Sequence, residues 1–104
     1  MEIPLHKLPA HGLLAVTLPD GSEVVIVVSS GGISVFADEC PHQGLPLSAG
    51  SLGADGTITC PFHGAQFSAT TGACVCGPAT DDLPRFASTI AEGSLRIGRR
   101  LAPG

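Results

Sequence analysis

The feature that most constrains this chain is a pair of short segments that each carry one cysteine and one histidine. Residues 40–44 have the sequence Cys-Pro-His-Gln-Gly, and residues 60–64 have the sequence Cys-Pro-Phe-His-Gly. The ligand spacing is therefore C-x-H, then 17 residues, then C-x-x-H. Thiolates and imidazoles are typical transition-metal ligands, and the nearby glycines let a backbone bend closely around a compact group. We expect a fold that brings these two segments together around one metal centre.

Two other kinds of metal site compete with this mixed cysteine and histidine centre. Structural zinc commonly uses C-x(2–4)-C and H-x(3–5)-H knuckles, and neither occurs among these ligands. An all-cysteine iron–sulfur cluster would use Cys40, Cys60, Cys74 and Cys76, but their gaps lack the C-x4-C-x2-C run of plant-type ferredoxins. Zinc and an all-cysteine cluster stay open as alternatives that fit the spacing less well.

Length and composition predict one small globular domain that spans residues 1–104. The chain has 104 residues without an internal repeat or a long polar tract. Apolar residues make up 43% and charged residues 13%, with 14 glycines and 9 prolines, which is typical of a turn-rich folded protein. A domain of this size buries only a modest share of its surface, so a bound metal would also stabilise it.

Charge and hydropathy exclude several classes of partner. The net charge is -4, and the chain has no Trp or Tyr, so it offers neither a basic surface nor a stacking platform for nucleic acid. The longest apolar run, residues 24–28, is too short to span a membrane, and the N-terminus does not resemble a signal peptide. We therefore expect a soluble cytoplasmic protein, whose four cysteines stay reduced or bind metal.

Strand patterns dominate the N-terminal part of the chain. Leu13–Leu18 and Glu23–Ser29 flank the turn sequence Pro-Asp-Gly at residues 19–21. Ile33–Ala37 follows a second turn at residues 30–32. These three segments predict a three-stranded meander.

The C-terminal part predicts a closing hairpin, and the middle of the chain differs from both ends. Phe86–Ala91 and Ser94–Gly98 alternate around a turn at residues 92–93, and we expect the terminal strands to share one sheet system. Between these parts, Asp38 to about Thr80 has short apolar pieces, many glycines and all four cysteines. Because binding residues concentrate on loops that a rigid scaffold holds, we expect the site in this insert.

The two metal-binding segments resemble the signature of the Rieske [2Fe-2S] family. Both spacings agree, and so do the flanking sequences Cys-Pro-His-Gln-Gly and Cys-Pro-Phe-His-Gly-Ala-Gln-Phe. The sequence Gly-Pro-Ala at residues 77–79 resembles the proline loop that covers the cluster in this family. The resemblance implies an all-β fold of antiparallel sheets, in which a small loop-rich cluster-binding subdomain, residues 38–80, is inserted in a basal β domain.

The resemblance also implies the cofactor and its ligands. One [2Fe-2S] cluster would be bound per chain, with Cys40 and Cys60 on a buried iron and His42 and His63 on an iron near the surface. Two neutral imidazoles leave the oxidised cluster less negative than four thiolates do, so the electron is accepted more easily. Rieske potentials accordingly lie at roughly -150 to +300 mV, above those of plant-type ferredoxins.

Four positions indicate the low-potential end of this range. High-potential members of the family carry a disulfide between the two loops, but the matching positions here are Leu45 and Phe62. Those members also donate a Ser and a Tyr hydroxyl to the cluster, where this chain has Ala65 and Phe67. Hydrogen bonds to a cluster favour its more negative, reduced form, so their loss lowers the potential.

Several residues outside the signature are assigned no role in the site. We interpret Cys74 and Cys76 as buried thiols, since residues at i and i+2 of a strand could form only a strained disulfide. His6 and His11 are expected at the surface or in turns. A solvated C-terminal face is predicted to carry the arginines Arg85, Arg96, Arg99 and Arg100.

The resemblance implies a one-electron carrier that has no catalytic residues and no small-molecule substrate. Its partners would be a flavin-dependent, NAD(P)H-dependent ferredoxin reductase and a terminal oxygenase. An oxygenase would also need a mononuclear iron held by two histidines and a carboxylate, and only His6 and His11 are left for that role. The alternatives are a small Rieske subunit of a stable redox complex such as a nitrite reductase, and a redox-responsive binding module.

Overall fold

The chain folds almost entirely as antiparallel strands, which confirms the predicted all-β class. The computed structural model describes residues 1–30, 32–39, 46–60, 66–76 and 83–101. Short 3-10 helices occur at Leu5–Lys7 and Leu47–Ala49. The described strands are β1 Glu2–Pro4, β2 Gly12–Thr17, β3 Glu23–Ser29, β4 Gly32–Ala37, β5 Ser51–Leu52, β6 Thr57–Thr59, β7 Gln66–Ser68, β8 Cys74–Cys76, β9 Phe86–Ala91 and β10 Ser94–Arg100.

The predicted meander is confirmed as the central sheet, with strand order β2-β3-β4. Its strand bounds differ from the predicted ones by no more than one residue. The β2–β3 turn is closed by Gly21 N–H, which donates to the Leu18 carbonyl at 2.9 Å. Ser22 N–H donates to Asp20 Oδ1 at 2.8 Å, and this hydrogen bond lowers the pKa of the Asp20 carboxyl.

The central strand β3 is buried on both faces. Val25 and Val27 belong to one core, while Val24 and Ile26 belong to another, and all four side chains are inaccessible to solvent. Successive strand residues point to opposite faces, so a strand covered on both sides is continuously apolar. Burial of β3 between two cores therefore explains the apolar run of residues 24–28. Among the residues that the structure describes, no helix is long and apolar enough to cross a bilayer.

A second sheet has the order β1-β10-β9 and contains the predicted hairpin. The strands from the two ends of the chain, β1, β9 and β10, pair within this sheet, whereas the meander forms a separate one. The two sheets are joined by an isolated bridge between Phe36 and Arg85 and by Ala37 N–H, which donates to the Pro84 carbonyl at 2.9 Å. Between them lies the basal core, which consists of Ile3, Leu18, Val24, Ile26, Val35, Ala37, Phe86, Leu95 and Ile97.

The third sheet, β5-β6-β7-β8, lies within the segment that was predicted as a loop-rich insert. Its strands have only two or three residues, too few for an alternating pattern to stand out in the sequence. Strand structure is therefore more extensive here than expected. The site-side core lies between this sheet and the central one and consists of Val25, Val27, Phe36, Leu47, Ile58, Cys60, Phe67, Ala69 and Leu83.

Candidate metal centre

Only one of the four predicted ligands lies among the described residues. Cys60 directly follows β6, whereas Cys40, His42 and His63 lie outside the described ranges. Within the part of the chain that the structure describes, no three His, Cys, Asp or Glu side chains form a metal-binding group. The ligand set therefore stays a prediction, and the structure bears on it through the residues that flank each segment.

The flanks of the ligand segments meet at one end of the four-stranded sheet. Thr59 pairs with Ser51 on one side and with Gln66 on the other, and Gln66 pairs with Cys76. Because neighbouring strands are antiparallel, the chain enters β5, leaves β6, enters β7 and leaves β8 at this same end. Three segments of the chain are therefore attached at this end. They are the first ligand segment, residues 40–45, which is attached by way of residues 46–50; the second ligand segment, residues 61–65; and a third segment, residues 77–82.

Cys60 stands in an apolar wall at this end of the sheet. Its residue is 1% exposed and packs in the site-side core, which also holds Leu47, Ile58 and Phe67. A thiolate in such surroundings is costly unless a cation compensates its charge. A soft sulfur ligand in apolar surroundings fits one half of a [2Fe-2S] cluster.

The first ligand segment is closed by two hydrogen bonds that one carboxylate accepts. Asp38 Oδ1 accepts a hydrogen bond from Ser48 N–H at 2.7 Å, and Asp38 Oδ2 accepts one from Ser48 Oγ at 2.6 Å. Both residues are partly buried. Sequence reasoning missed this pair, because ten residues separate Asp38 from Ser48 and neither belongs to the ligand signature.

The second ligand segment is closed mainly by the sheet itself. Its flanking residues Thr59 and Gln66 are partners in the β6–β7 ladder. Their side chains add one long contact, in which Gln66 Nε2 donates to Thr59 Oγ1 at 3.5 Å. The two ligand segments thus differ in how their ends are held together.

The third segment, residues 77–82, is followed directly by an anchored residue, Leu83. Leu83 N–H donates to the Gly72 carbonyl at 2.8 Å, and the Leu83 side chain is 3% exposed in the site-side core. Gly72 has a φ of 78°, and a Cβ built there would lie 2.7 Å from Phe36 Cε1. Only glycine fits this close contact without displacing its neighbours. The predicted cover loop, residues 77–79, lies outside the described ranges.

Residues that the sequence placed outside the site are arranged largely as expected. His6 and His11 are exposed, and so are the four C-terminal arginines. Cys74 and Cys76 lie on one strand, β8. Their burial is not described, so the interpretation as buried thiols stays a prediction.

Comparison with protein families decides which family this is. The model of the Rieske [2Fe-2S] domain matches residues 3–87, which is most of the chain. The chain belongs to the Rieske [2Fe-2S] domain family. Its cofactor is therefore a [2Fe-2S] cluster, as the resemblance of the two segments to this family implied.

Curated relatives and solved structures agree with this Rieske assignment. The chain is 35% identical over 79 residues to the 3-phenylpropionate/cinnamic acid dioxygenase ferredoxin subunit of Escherichia coli K12, covering 75% of this chain and 74% of that protein. In fold it matches the ferredoxin of carbazole 1,9a-dioxygenase from Nocardioides aromaticivorans IC177, with a TM-score of 0.84, 22% identity and 93% coverage of both chains. A ferredoxin solved in complex with the oxygenase of carbazole 1,9a-dioxygenase also gives a TM-score of 0.84, at 23% identity, covering 94% of this chain and 100% of that one.

These relatives also confirm the predicted class of activity. Ferredoxin subunits are the electron-transfer components of oxygenase systems rather than their catalysts. This Rieske protein is accordingly an electron-transfer protein.

Proposed function

We propose that this Rieske protein carries single electrons from a flavin-dependent, NAD(P)H-dependent ferredoxin reductase to a terminal oxygenase. Its [2Fe-2S] cluster would be held by Cys40, His42, Cys60 and His63. The observation that carries this proposal is the meeting of both ligand segments' flanks at one end of the four-stranded sheet, above the buried Cys60. The 35% identity to a dioxygenase ferredoxin subunit supports an oxygenase as the acceptor.

The surroundings of Cys60 support a cluster with one protected edge and one accessible edge. The site-side core excludes water behind the Cys60 sulfur, so the iron held by cysteines would face the protein interior. The iron held by His42 and His63 would then lie at the outer edge. When bound, the cluster accepts and releases one electron, and the outer imidazoles offer the shortest route for it to a partner.

A low reduction potential is part of the same proposal. Phe67 is fully buried in the site-side core, where it contributes a ring without a hydroxyl. Together with Leu45, Phe62 and Ala65, it leaves the site without the disulfide and hydroxyl donors of high-potential Rieske proteins. Fewer hydrogen bonds to the cluster make the reduced form less favourable.

The remaining parts of the proposal concern the form and place of the carrier. We place it in the cytoplasm as a single domain over residues 1–104, with the cluster-binding part at about 38–80. Its net charge of -4 supports docking on partners with basic surfaces, because opposite charge speeds association.

The proposal is tested by single-turnover transfer to an oxygenase. The holoprotein is reduced with dithionite, freed of excess reductant without oxygen, and mixed with the terminal component of an aromatic-acid dioxygenase in a stopped-flow instrument. We expect the visible spectrum of the oxidised cluster to return at a rate that depends on oxygenase concentration, with one electron transferred per chain. The apoprotein and free dithionite at the same reducing equivalents are the controls. No acceleration over the protein alone, with the cluster intact, would contradict an oxygenase as the acceptor.

A further inference from the structure

Hydrogen bonds between Asp38 and Ser48 join the two ends of the first ligand segment. Asp38 lies two residues before Cys40, and Ser48 lies six residues after His42. The Asp38 carboxylate accepts hydrogen bonds from both the backbone N–H and the hydroxyl of Ser48, at 2.7 Å and 2.6 Å. We call this pair the Asp38–Ser48 clip.

Both ends of the clip are fixed to the rigid part of the fold. On one side, Asp38 N–H donates to the Glu23 carbonyl at 3.0 Å, directly after the end of β4. On the other side, Ser48 lies in a 3-10 helix whose Leu47 side chain is fully buried in the same core as Cys60. The clip therefore joins the end of the central sheet to the wall that carries Cys60.

Among the described residues, no strand pairing closes this segment, so the side-chain clip takes that role. The second ligand segment leaves and re-enters one antiparallel ladder at Thr59 and Gln66. The first segment instead crosses from β4, in the central sheet, to β5, in the four-stranded sheet, and these strands are not neighbours. Ordering a free loop costs conformational entropy, and two charge-assisted hydrogen bonds in a partly buried place offset that cost before any metal is bound.

We propose that the Asp38–Ser48 clip is the positioning device that holds Cys40 and His42 in reach of the cluster. Asp38 and Ser48 act through the loop that they close and do not contact the metal as ligands. The inference rests on the ligand set proposed above. Partners of this kind that orient metal ligands commonly change metal affinity by about 10- to 100-fold when they are removed.

The test compares clip variants with a variant of another carboxylate, which lies in a turn of the four-stranded sheet. Ser48→Ala removes the hydroxyl, Asp38→Ala removes the whole clip, Asp38→Asn keeps one acceptor without the charge, and Ser48→Thr keeps the hydroxyl. Asp55→Ala is the control, since Asp55 Oδ1 accepts Thr57 N–H at 3.1 Å in the turn at the opposite end of the four-stranded sheet. Each holoprotein is incubated with an iron chelator, and cluster loss is followed by visible absorbance. EPR spectra of the reduced forms report the geometry at the ligands.

We expect Asp38→Ala to lose its cluster about 10- to 100-fold faster than wild type and to show shifted or broadened EPR g-values. The rates of cluster loss of Ser48→Ala and Asp38→Asn should fall between those of wild type and Asp38→Ala. The rates of Ser48→Thr and Asp55→Ala should stay close to that of wild type. The double variant Asp38→Ala/Ser48→Ala should lose its cluster no faster than Asp38→Ala, because the two side chains act as one unit.

Three results would overturn the clip. The first is wild-type cluster lifetime and EPR spectrum in both Asp38→Ala and Ser48→Ala. The second is an equal rate of cluster loss in Asp38→Ala and Asp55→Ala. The third is a Ser48→Thr variant that loses its cluster as fast as Ser48→Ala. If Asp38→Ala does not fold, the comparison of Ser48→Ala with Ser48→Thr decides. A cluster that survives His42→Ala would instead refute the proposed ligand set. A failure of the ligand set can thus be told apart from a failure of the clip.

Discussion

The two outer sheets pack on opposite faces of the same central sheet, yet their strands are built differently. β9 and β10 have six and seven residues and turn tightly at residues 92–93. The strands β5–β8 have two or three residues each, and the segments that carry the predicted ligands are attached at their site end. Longer strands supply their own hydrogen-bond ladder and packing, whereas short strands depend on what lies at their ends.

The two cores show the same contrast. The basal core consists of ordinary aliphatic and aromatic side chains from the two sheets that enclose it. The site-side core includes Cys60, which we propose to be a ligand, and Leu83, which anchors the third segment. We therefore expect the cluster to stabilise the four-stranded sheet much more than the basal part, since metal binding and folding are linked where the ligands are.

The largest effect should come from Cys60→Ser. We expect complete loss of the cluster, because the replaced sulfur is one of its four proposed ligands. Hydrogen exchange should then become faster in β5–β8, while the amides of β3 and β10 keep most of their protection. Uniform loss of protection in all three sheets would show that the two sides of the molecule do not differ in their dependence on the cluster.

Leucine truncations on the two sides of β3 sharpen this comparison. Leu47 and Leu95 are both essentially inaccessible to solvent, the first in the site-side core and the second in the basal core. Each leucine-to-alanine change should lower the free energy of unfolding by about 2–5 kcal/mol in denaturant titrations. Only Leu47→Ala should also accelerate cluster loss to a chelator. Equal acceleration by Leu95→Ala would contradict the separation of the two cores.

Two glycines with the same backbone conformation but different neighbours provide the next test. Gly72 and Gly56 have φ values of 78° and 82°, but only at Gly72 would a Cβ meet Phe36 and Leu83. Gly56→Ala should cost about 1–2 kcal/mol for backbone strain alone. Gly72→Ala should cost roughly 2–4 kcal/mol, because the strain is joined by overpacking beneath the third segment. Thermal unfolding of the two variants checks the order, and similar losses would show that the contact with Phe36 is easily relieved.

The smallest effect is a shift in potential from Phe67→Tyr. If the added hydroxyl donates to the cluster, one neutral hydrogen bond of about 1 kcal/mol corresponds to a rise of roughly 40 mV for a one-electron couple. Phe36→Tyr is the control, since Phe36 is equally buried in the same core but lies on β4. Redox titration followed by EPR measures both variants. An unchanged potential in a folded, cluster-loaded Phe67→Tyr would remove Phe67 from the explanation of a low potential.

The sequence predicted the long strands and the chemistry of the centre better than the architecture between them. β3 and the hairpin were recognisable because alternation or an apolar run extends over six or seven residues between turn sequences. The strand β1 and the sheet β5–β8 could not be recognised, because three residues carry almost no periodicity and their pairing is set by tertiary contacts. The cofactor followed from the resemblance that the segments around Cys40, His42, Cys60 and His63 bear to a known family, but the Asp38–Ser48 clip required the fold.

Pulsed EPR of the dithionite-reduced protein tests the central claim most directly, because it detects the nuclei bound to the cluster. We predict coupling to two histidine nitrogens, with the whole signal lost in His42→Ala and in His63→Ala. A cluster without nitrogen coupling, or a colourless protein that contains only zinc, would contradict this claim.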